Sequence, residues 1–204
     1  MIFDVHTHTN LSSCSVNNIH EMIDIANHIG LDGICITDHQ TMDIRNDIKE
    51  GPQENGVVVI IGIEYDTPGG DFLLFGPYEH ISTDMDAGSL LNHVGVTGGI
   101  AIAAHPFRTD RPVNDRFLGK GLTTVIESIN GRNSDIENVK ADKWNKKYKL
   151  AGVGGSDAHT PGELGTVVTR FSMPIHSRGD FIYALKNDTY HPEWRVRQES
   201  ALSS

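Results

Sequence analysis

Cysteine is scarce in this sequence, which holds only Cys14 and Cys35 in 204 residues. Two cysteines cannot build the disulfide framework of a small secreted scaffold. No apolar run approaches the roughly 20 residues that a membrane-spanning helix needs. The N-terminus also has no basic stretch followed by a long apolar one, as a signal peptide would. These absences favour a cytoplasmic protein without a membrane partner.

Positive charge is also in short supply. Lys and Arg number 17 against 27 Asp and Glu, which gives a formal net charge of −10 at pH 7. Because nucleic-acid backbones bind clustered Lys and Arg, this balance argues against a long nucleic acid, although it is compatible with a nucleotide or a short oligonucleotide. By contrast, the 11 histidines and the many carboxylates offer an ample set of metal ligands. A small anionic substrate can bind such a protein if bound cations reverse the local field.

Apolar runs of strand length alternate with segments of helical periodicity along the chain. The first helical segment has Ile19, Met22, Ile23 and Ala26 at three- and four-residue steps and ends at Gly30. The most apolar run, VVVIIGIEYDT, is interpreted as a single strand covered on both faces. This alternation is typical of repeated βα units and predicts an α/β fold.

The length suits one α/β domain with its own core. We predict a single domain at residues 1–190 and a C-terminal tail at residues 191–204. The sequence leaves the oligomeric state open.

Residues that can bind a metal follow the predicted strands, each at the C-terminal end of an apolar run. His6 and His8 follow the first strand and should project from one face, because residues i and i+2 of a strand do so. Asp157 and His159 repeat this spacing late in the chain. The other residues in such positions are Asp38, His39, Glu64, His105 and Glu127. In a barrel of parallel βα units these ends share the face that carries the active site, so the side chains are expected to converge there.

Each fragment alone has a plain structural explanation. Two histidines one residue apart can lie on a wet surface, and the pair in ITDH can be a loop-capping aspartate beside a solvent-exposed histidine. Together, and each after a strand, they predict binding of divalent Zn, Mn or Fe. A carboxylate such as Glu64 can bridge two ions, which can then clamp a phosphate and activate a water.

The same stretches carry a resemblance to a known family. The sequence resembles the PHP (polymerase and histidinol phosphatase) family in the segments DVHTHT, GLDGICITDH, GIEYDT, DFLLFG, AAHPFR, IESINGR and GGSDAH. The late stretch GSDAHTPGELGTVVTRF is similar to the small stand-alone phosphoesterases of that family. The resemblance implies a distorted seven-stranded (β/α)7 TIM-like barrel with two or three divalent ions at the C-terminal strand ends.

The resemblance also implies how the ligands divide among the ions. The first ion would take His6, His8, Glu64 and Asp157. Glu64 would bridge to a second ion, which His105 also holds. A third ion would take His39 and His159.

Two departures from the family pattern concern these ligands. Members of the family usually have an aspartate shortly after the paired histidines, where this sequence has Ser13. A neutral serine is a poor ligand, so the third ion is expected to bind weakly or not at all unless Cys14 substitutes as a thiolate. Relatives often have a histidine where this sequence has Asp71, which can still ligate the second ion or can be a simple turn residue.

The leading hypothesis is hydrolysis of a small phosphate ester, a phosphomonoester or a nucleotide, by a metal-activated hydroxide. The residues expected to act on the substrate are Glu64, His39, His159 and Arg108. Glu64 would bridge the ions, and a third ion or one of the two histidines would stabilise the leaving group. Arg108 would bind the phosphate.

Further residues are assigned supporting roles. Arg132 and Arg170 are alternative phosphate ligands, and Asp4, Asp38 and Glu127 are expected to orient the ligating histidines. The loop RTDRPVNDRFLGKG carries four basic residues that either attract an anionic substrate or are simply solvated. They are Arg108, Arg111, Arg116 and Lys120.

Two other functions are compatible with the sequence. One is an amidohydrolase-like site that cleaves C–N or C–O bonds, since barrels with paired histidines after the first strand also do this. The other is a metal-binding module whose ions support the fold without catalysis.

Overall fold

The structure is a computed structural model that describes residues 1–118, 122–187 and 189–195. Within these residues the chain forms four α-helices and eleven β-strands. The helices are α1 (Ile19–His28), α2 (Ala87–Thr97), α3 (Asp135–Tyr148) and α4 (Arg178–Asn187). The strands are β1 (Ile2–Thr7), β2 (Gly33–Ile36), β3 (Gly51–Pro52), β4 (Val58–Ile61), β5 (Ile63–Thr67), β6 (Gly70–Phe75), β7 (Ile100–Ala103), β8 (Val125–Asn130), β9 (Ala151–Gly155), β10 (Val167–Phe171) and β11 (Tyr190–Trp194).

The strands form two mixed sheets, so the predicted α/β class is confirmed. The first sheet has the order β11-β10-β1-β2-β4-β3 and the second the order β5-β6-β7-β8-β9. Pairs β1–β2, β2–β4, β7–β8 and β8–β9 are parallel, whereas β10 and β6 pair antiparallel with their neighbours. Two isolated parallel bridges, Thr7 with Ala158 and His39 with Glu64, link the two sheets. In the described residues the strands thus do not form the continuous seven-stranded barrel that was expected, because only single bridges join the sheets.

One predicted strand is in fact two. The run of residues 57–67 is interrupted at Gly62, whose N–H donates to the carbonyl of Ile36. A Cβ at this position would lie 2.6 Å from the Phe75 ring and 2.7 Å from the Leu74 carbonyl, so only glycine fits. The chain crosses here from the first sheet to the second, and Glu64 therefore lies at the junction between them.

The prediction of a C-terminal tail from residue 191 is wrong for its first residues. Tyr190–Trp194 forms β11, which pairs antiparallel with β10 at the edge of the first sheet. An edge strand tolerates Pro192 because it needs no second ladder of hydrogen bonds. The remainder of the predicted tail, residues 196–204, lies outside the described residues.

The helices begin and end where local chemistry predicts. Asn18 caps α1 by accepting from the N–H groups of His20 and Glu21, and Gly30 follows the helix with a φ of +72°. Ser177, directly before α4, accepts from the N–H of Asp180 at 3.1 Å. In the described part of the chain, no helix is both long enough and apolar enough to cross a membrane.

Candidate metal centre

The predicted ligands meet at one edge of the two sheets. Seven of them form one contiguous group: His6, His8, His39, Glu64, His105, Asp157 and His159. All are buried except His39, whose side chain is 22% exposed. Residues as far apart in the sequence as His6 and His159 meet here because parallel strands end at the same edge of a sheet.

Four donor atoms around the first strand end converge on one point. His6 Nε2 lies 3.0 Å from His8 Nε2 and 3.5 Å from Asp157 Oδ1. Glu64 Oε2 lies 3.4 Å from His6 Nε2 and 3.2 Å from His8 Nε2. Four ligands placed tetrahedrally around an ion at bonds of about 2.0–2.1 Å are separated by roughly 3.4 Å. The spacing of these atoms therefore fits the coordination sphere of one ion.

A second group lies on the other side of Glu64. Its Oε1 is 2.7 Å from His105 Nε2, and Asp71 Oδ2 is 3.9 Å from the same nitrogen. Asp71 is fully buried, and neither of its carboxylate oxygens has a hydrogen-bond partner. Burial, followed by the nearby charge of Glu64, raises the pKa of Asp71 to about 6. A buried carboxylate without hydrogen bonds is costly, and the partly exposed Arg111, 3.3 Å from Oδ2, is a cation of the protein that lies near it.

A third group contains histidine nitrogens from three strand ends. One ring nitrogen each from His8, His39 and His159 lies within 4.8 Å of the others. Ser13, which stands where the family pattern has an aspartate, is exposed. Cys14 is exposed too, and partial burial raises the pKa of its thiol, which disfavours the thiolate. Ser13 and Cys14 therefore do not supply an anionic ligand to these three histidines.

Charge inside the cluster is balanced between imidazoles and carboxylates. Burial alone would raise the pKa of Glu64 and Asp157, but the neighbouring His6 and other imidazoles hold both pKa values well below their ordinary range. Burial alone would lower the pKa of His6, but Asp157, Glu127 and Glu64 raise it well above its ordinary value. The ionised carboxylates therefore require positive charge at this point, which a proton on His6 or a divalent cation supplies.

Glu127 orients a ligand, as predicted. Its carboxylate accepts from the His105 backbone N–H at 2.8 Å and from Asn130 Nδ2 at 3.0 Å. Its Oε1 lies 3.0 Å from His6 Nδ1, which donates to this acceptor. The Nε2 lone pair of His6 is thereby directed at the cluster.

Asp4 and Asp38 do not contact a ligating ring, contrary to expectation. Asp38 accepts from Thr9 and Ser12, and Ser12 Oγ in turn lies 3.3 Å from His8 Nδ1. Asp4 accepts from the backbone N–H groups of Ser156 and Gly165. These aspartates fix the loops that carry the ligands rather than the ligands themselves.

Backbone strain is concentrated around the cluster. Among the described residues, four non-glycine residues have a positive φ, and three of them are Gln40 (56°), His105 (25°) and Asp157 (56°). The Asp157 N–H donates to the His6 carbonyl at 2.8 Å, and the Gln40 N–H to the Glu64 carbonyl at 2.9 Å. Such conformations cost about 1–3 kcal/mol each and persist where surrounding contacts enforce them, as at functional sites.

An open cavity of about 480 Å³ lies over the cluster. It is lined by Cys14, His39, Arg108, Thr109, Asp110, Arg111, Arg132, Glu137, Asp157 and His159. Arg108 donates from Nη2 to Asp157 Oδ2 at 2.6 Å and to Asn130 Oδ1 at 3.1 Å. Three arginines in an acidic protein thus face the same cavity as the ligand cluster.

The other basic candidates from the sequence lie elsewhere. Arg170 pairs with Glu193 between β10 and β11, so its predicted role in phosphate binding is wrong. The guanidinium of Arg116 lies over the Phe117 ring. Lys120 lies outside the described residues.

Sequence reasoning missed one member of the site. Asp66 Oδ1 lies 3.4 Å from His39 Nδ1, and these residues form a potential metal-binding group with Glu64. The signal was present, because Glu64 and Asp66 have the same i, i+2 spacing as the two recognised ligand pairs.

Comparison with known proteins identifies the family. The profile of a PHP-associated family matches residues 135–190. The chain is 30% identical over 183 residues to the uncharacterized protein MJ0417 of Methanocaldococcus jannaschii, an alignment that covers 84% of this chain and 71% of that protein. It is 28% identical over 153 residues to the uncharacterized protein MJ1587 of the same organism, covering 69% of this chain and 89% of the other. The chain belongs to the PHP family.

Solved structures share the fold at low sequence identity. PsfC from Pseudomonas syringae has a TM-score of 0.78 at 21% identity, with 96% of this chain and 91% of that chain covered. A protein of Bifidobacterium adolescentis described as a candidate metal-dependent phosphoesterase has a TM-score of 0.66 at 15% identity, covering 90% and 94%. An amidohydrolase from Chromobacterium violaceum with bound sulfate and no metal has a TM-score of 0.58 at 13% identity, covering 79% and 88%. The α/β fold of this chain is thus the fold of these structures.

Proposed function

We propose that this protein is a metal-dependent phosphoesterase that hydrolyses a small phosphate ester, either a phosphomonoester or a nucleotide. The observation that carries the proposal is the position of three arginines around a cavity whose floor is a buried cluster of metal-ligating side chains. Arginine binds phosphate oxygens with planar, directed N–H groups. An amidohydrolase substrate has no comparable need for several guanidinium groups.

The side chains fit divalent ions. Both buried oxygens of Asp71 and Nδ1 of His39 lack hydrogen-bond partners, which is the pattern expected of ligand atoms without their ion. Imidazole and carboxylate donors together suit Zn, Mn or Fe. The residues that would hold two or three ions are His6, His8, His39, Glu64, Asp71, His105, Asp157 and His159. Such ions would supply Lewis acidity and lower the pKa of a water molecule.

Arg108 is the residue proposed to bind and orient the phosphate. Its side chain is 20% exposed, and its Nη2 is fixed by Asp157, Asn130 and Asn133. Because this nitrogen donates to the predicted metal ligand Asp157 and to two asparagines, the guanidinium is held at the wall of the cavity with little conformational freedom. A fixed cation loses less conformational entropy on binding an anion than a free arginine does.

His39 and His159, the two histidines proposed to act at the leaving group, differ in their burial and surroundings. Burial lowers the pKa of His159, so this imidazole is neutral near pH 7 and suits ligation better than proton donation. His39 is more exposed and lies between Glu64 and the cavity.

A substrate panel tests the proposal. Purified protein reloaded with Zn²⁺, Mn²⁺ or Fe²⁺ should hydrolyse aryl phosphate monoesters or nucleotides and leave amides and lactones intact. Cleavage of amides or lactones alone would favour the amidohydrolase alternative. Loaded protein that cleaves nothing in either panel would instead point to a module whose ions only support the fold.

Substitution of Arg108 sharpens the test. We expect Arg108→Ala to raise KM for a phosphate ester about 10-fold or more, because a charge-assisted hydrogen bond contributes roughly 1.5–3 kcal/mol. The matched control is Arg170→Ala, which removes an arginine distant from the cavity. Equal kinetic parameters for the two variants would contradict the role of Arg108.

A further inference from the structure

One carboxylate oxygen outside the predicted ligand set is aimed at a histidine nitrogen. Asp66 Oδ1 lies 3.4 Å from His39 Nδ1, and Glu64 Oε2 lies 3.2 Å from the same nitrogen. Asp66 Oδ1 and His39 Nδ1 are both shielded from solvent, and neither has a hydrogen-bond partner. His39 Nδ1 either carries a proton or presents a lone pair. In the second case three acceptor atoms face one another, an arrangement that a cation close to all of them would relieve.

The backbone fixes this arrangement on two strand ends. Glu64 and Asp66 are two residues apart on β5 and project to the same face. His39 is bridged to Glu64, and the neighbouring Gln40 donates from its backbone to the Glu64 carbonyl at 2.9 Å and from Nε2 to the Asp66 carbonyl at 3.1 Å. The three ligand-type side chains are therefore presented by backbone segments that are tied together.

A nearby arginine does not satisfy the carboxylate. Arg111 Nη1 lies 3.5 Å from Asp66 Oδ1 and 3.3 Å from Asp71 Oδ2, but it makes no hydrogen bond to either. Its side chain is 39% exposed, so it contributes a screened charge that two carboxylates share. With Glu64 included, this side of the cluster carries three carboxylates against one partly exposed guanidinium.

We propose that Asp66 is a metal ligand that, with His39 and Glu64, holds a divalent ion on the cavity side of the cluster. This inference rests on the proposed function, because it concerns an ion of the same centre. Asp66 would supply an anionic ligand to this ion, whose ligand group shares His39 with the separate group of His8, His39 and His159. His39 lines the cavity, so the ion would lie beside it.

Ion counting tests the proposal. Wild-type protein and the variants Asp66→Asn and Asp110→Asn are stripped with a chelator, reloaded with Mn²⁺ or Zn²⁺ alone and analysed for ions per chain. Asp110 is an aspartate that lines the cavity but belongs to none of the potential metal-binding groups of the described residues, which makes its variant a control. We expect Asp66→Asn to hold one ion fewer than the wild type, or to bind its weakest ion at least 10-fold less tightly, while Asp110→Asn matches the wild type.

A spectroscopic readout reports ligation directly and does not depend on activity. Co²⁺-loaded Asp66→Cys should show a strong near-ultraviolet thiolate-to-cobalt absorption beyond that of the wild type, whereas Asp110→Cys should not. Full ion number and affinity in Asp66→Asn, together with no new band in Asp66→Cys, would overturn the inference and leave Arg111 as the partner of Asp66. That result leaves the proposed function standing, whereas a wild type that holds no ion would overturn both.

Discussion

Two of the cavities formed by the described residues are lined by charged side chains, and these cavities differ in how the charges are paired. The cavity of about 330 Å³ near the start of α4 contains Arg178, which contacts Glu50 at 2.9 Å, Glu79 at 2.8 Å and the Gly76 carbonyl. The buried parts of Arg178 and of the two glutamates thus meet partners of opposite sign. At the candidate metal centre, by contrast, both oxygens of the buried Asp71 lack a hydrogen-bond partner, and the ion contact with Arg111 involves a side chain that is 39% exposed.

The comparison teaches that charge and burial alone do not mark a functional site. Arg178 forms ion pairs with two glutamates, and such pairs hold loops in place. The paired nitrogen and oxygen atoms do not need a bound ligand to satisfy their charge. What distinguishes the metal centre is that several lone pairs converge at ligand spacing while some remain unpaired. Substitutions at the two cavities should consequently change different properties, ion binding at one and stability at the other.

The largest expected effect is on ion affinity. Glu127→Gln replaces the acceptor of His6 Nδ1 and should weaken ion binding about 10- to 100-fold, because such supporting groups orient the ligand and raise its basicity. Titration of the chelated protein with Zn²⁺ or Mn²⁺ measures this. Glu79→Gln, in the paired cavity, is the control and should bind ions as the wild type does. Equal affinities for the two variants would remove the distinction between the cavities.

Substitution in the paired cavity should instead reduce stability. Arg178→Ala leaves Glu50 and Glu79 without their partner and should lower the free energy of unfolding by about 1–3 kcal/mol, as measured by urea denaturation. Ion content should stay that of the wild type. A loss of ions in this variant would show that the two regions are coupled.

The loss of unfolding free energy in Arg178→Ala should depend on pH in a defined direction. Although burial acts to raise the pKa of Glu79, a backbone hydrogen bond and Arg178 hold the pKa below its ordinary value. A lowered carboxylate pKa contributes stability above the ordinary pKa, and that contribution is lost as pH falls through the lowered pKa. The difference between Arg178→Ala and the wild type should therefore shrink in acid.

The smallest effect is expected at the edge of the first sheet. Arg170 and Glu193 form an exposed cross-strand pair at 2.7 Å, and such pairs contribute up to about 1 kcal/mol. Arg170→Ala should shift the urea midpoint only slightly and leave ion binding intact. A change in ion affinity would mean that the centre depends on surface charge at a distance.

Much of the centre could be predicted from the sequence, because ligand residues follow apolar strands. His6, His8, His105 and Asp157 meet as expected, since strand ends share one edge of a sheet. Arg108 was expected near the centre because it closely follows His105 in the chain, and it lines the cavity; its contact with Asp157 was not anticipated.

What the sequence did not reveal depends on contacts between distant segments. The break falls at Gly62, where a Cβ would meet the ring of Phe75, and this contact between distant segments has no local signal. The strand Tyr190–Trp194 was hidden by its polar composition and by Pro192, which only an edge position tolerates. The position of Arg111 between Asp66 and Asp71 follows from the antiparallel pairing of β5 with β6, which no pattern in the loop itself encodes.

The most direct test of the account is elemental analysis of the purified protein beside Asp157→Asn, a substitution that tolerates the left-handed backbone at this position. Asp142→Asn, on the exposed face of α3, is the control. The account predicts two or three divalent ions per chain in the wild type and in the control, and a clear loss in Asp157→Asn. Equal ion content in all three proteins, or none in the wild type, would contradict it.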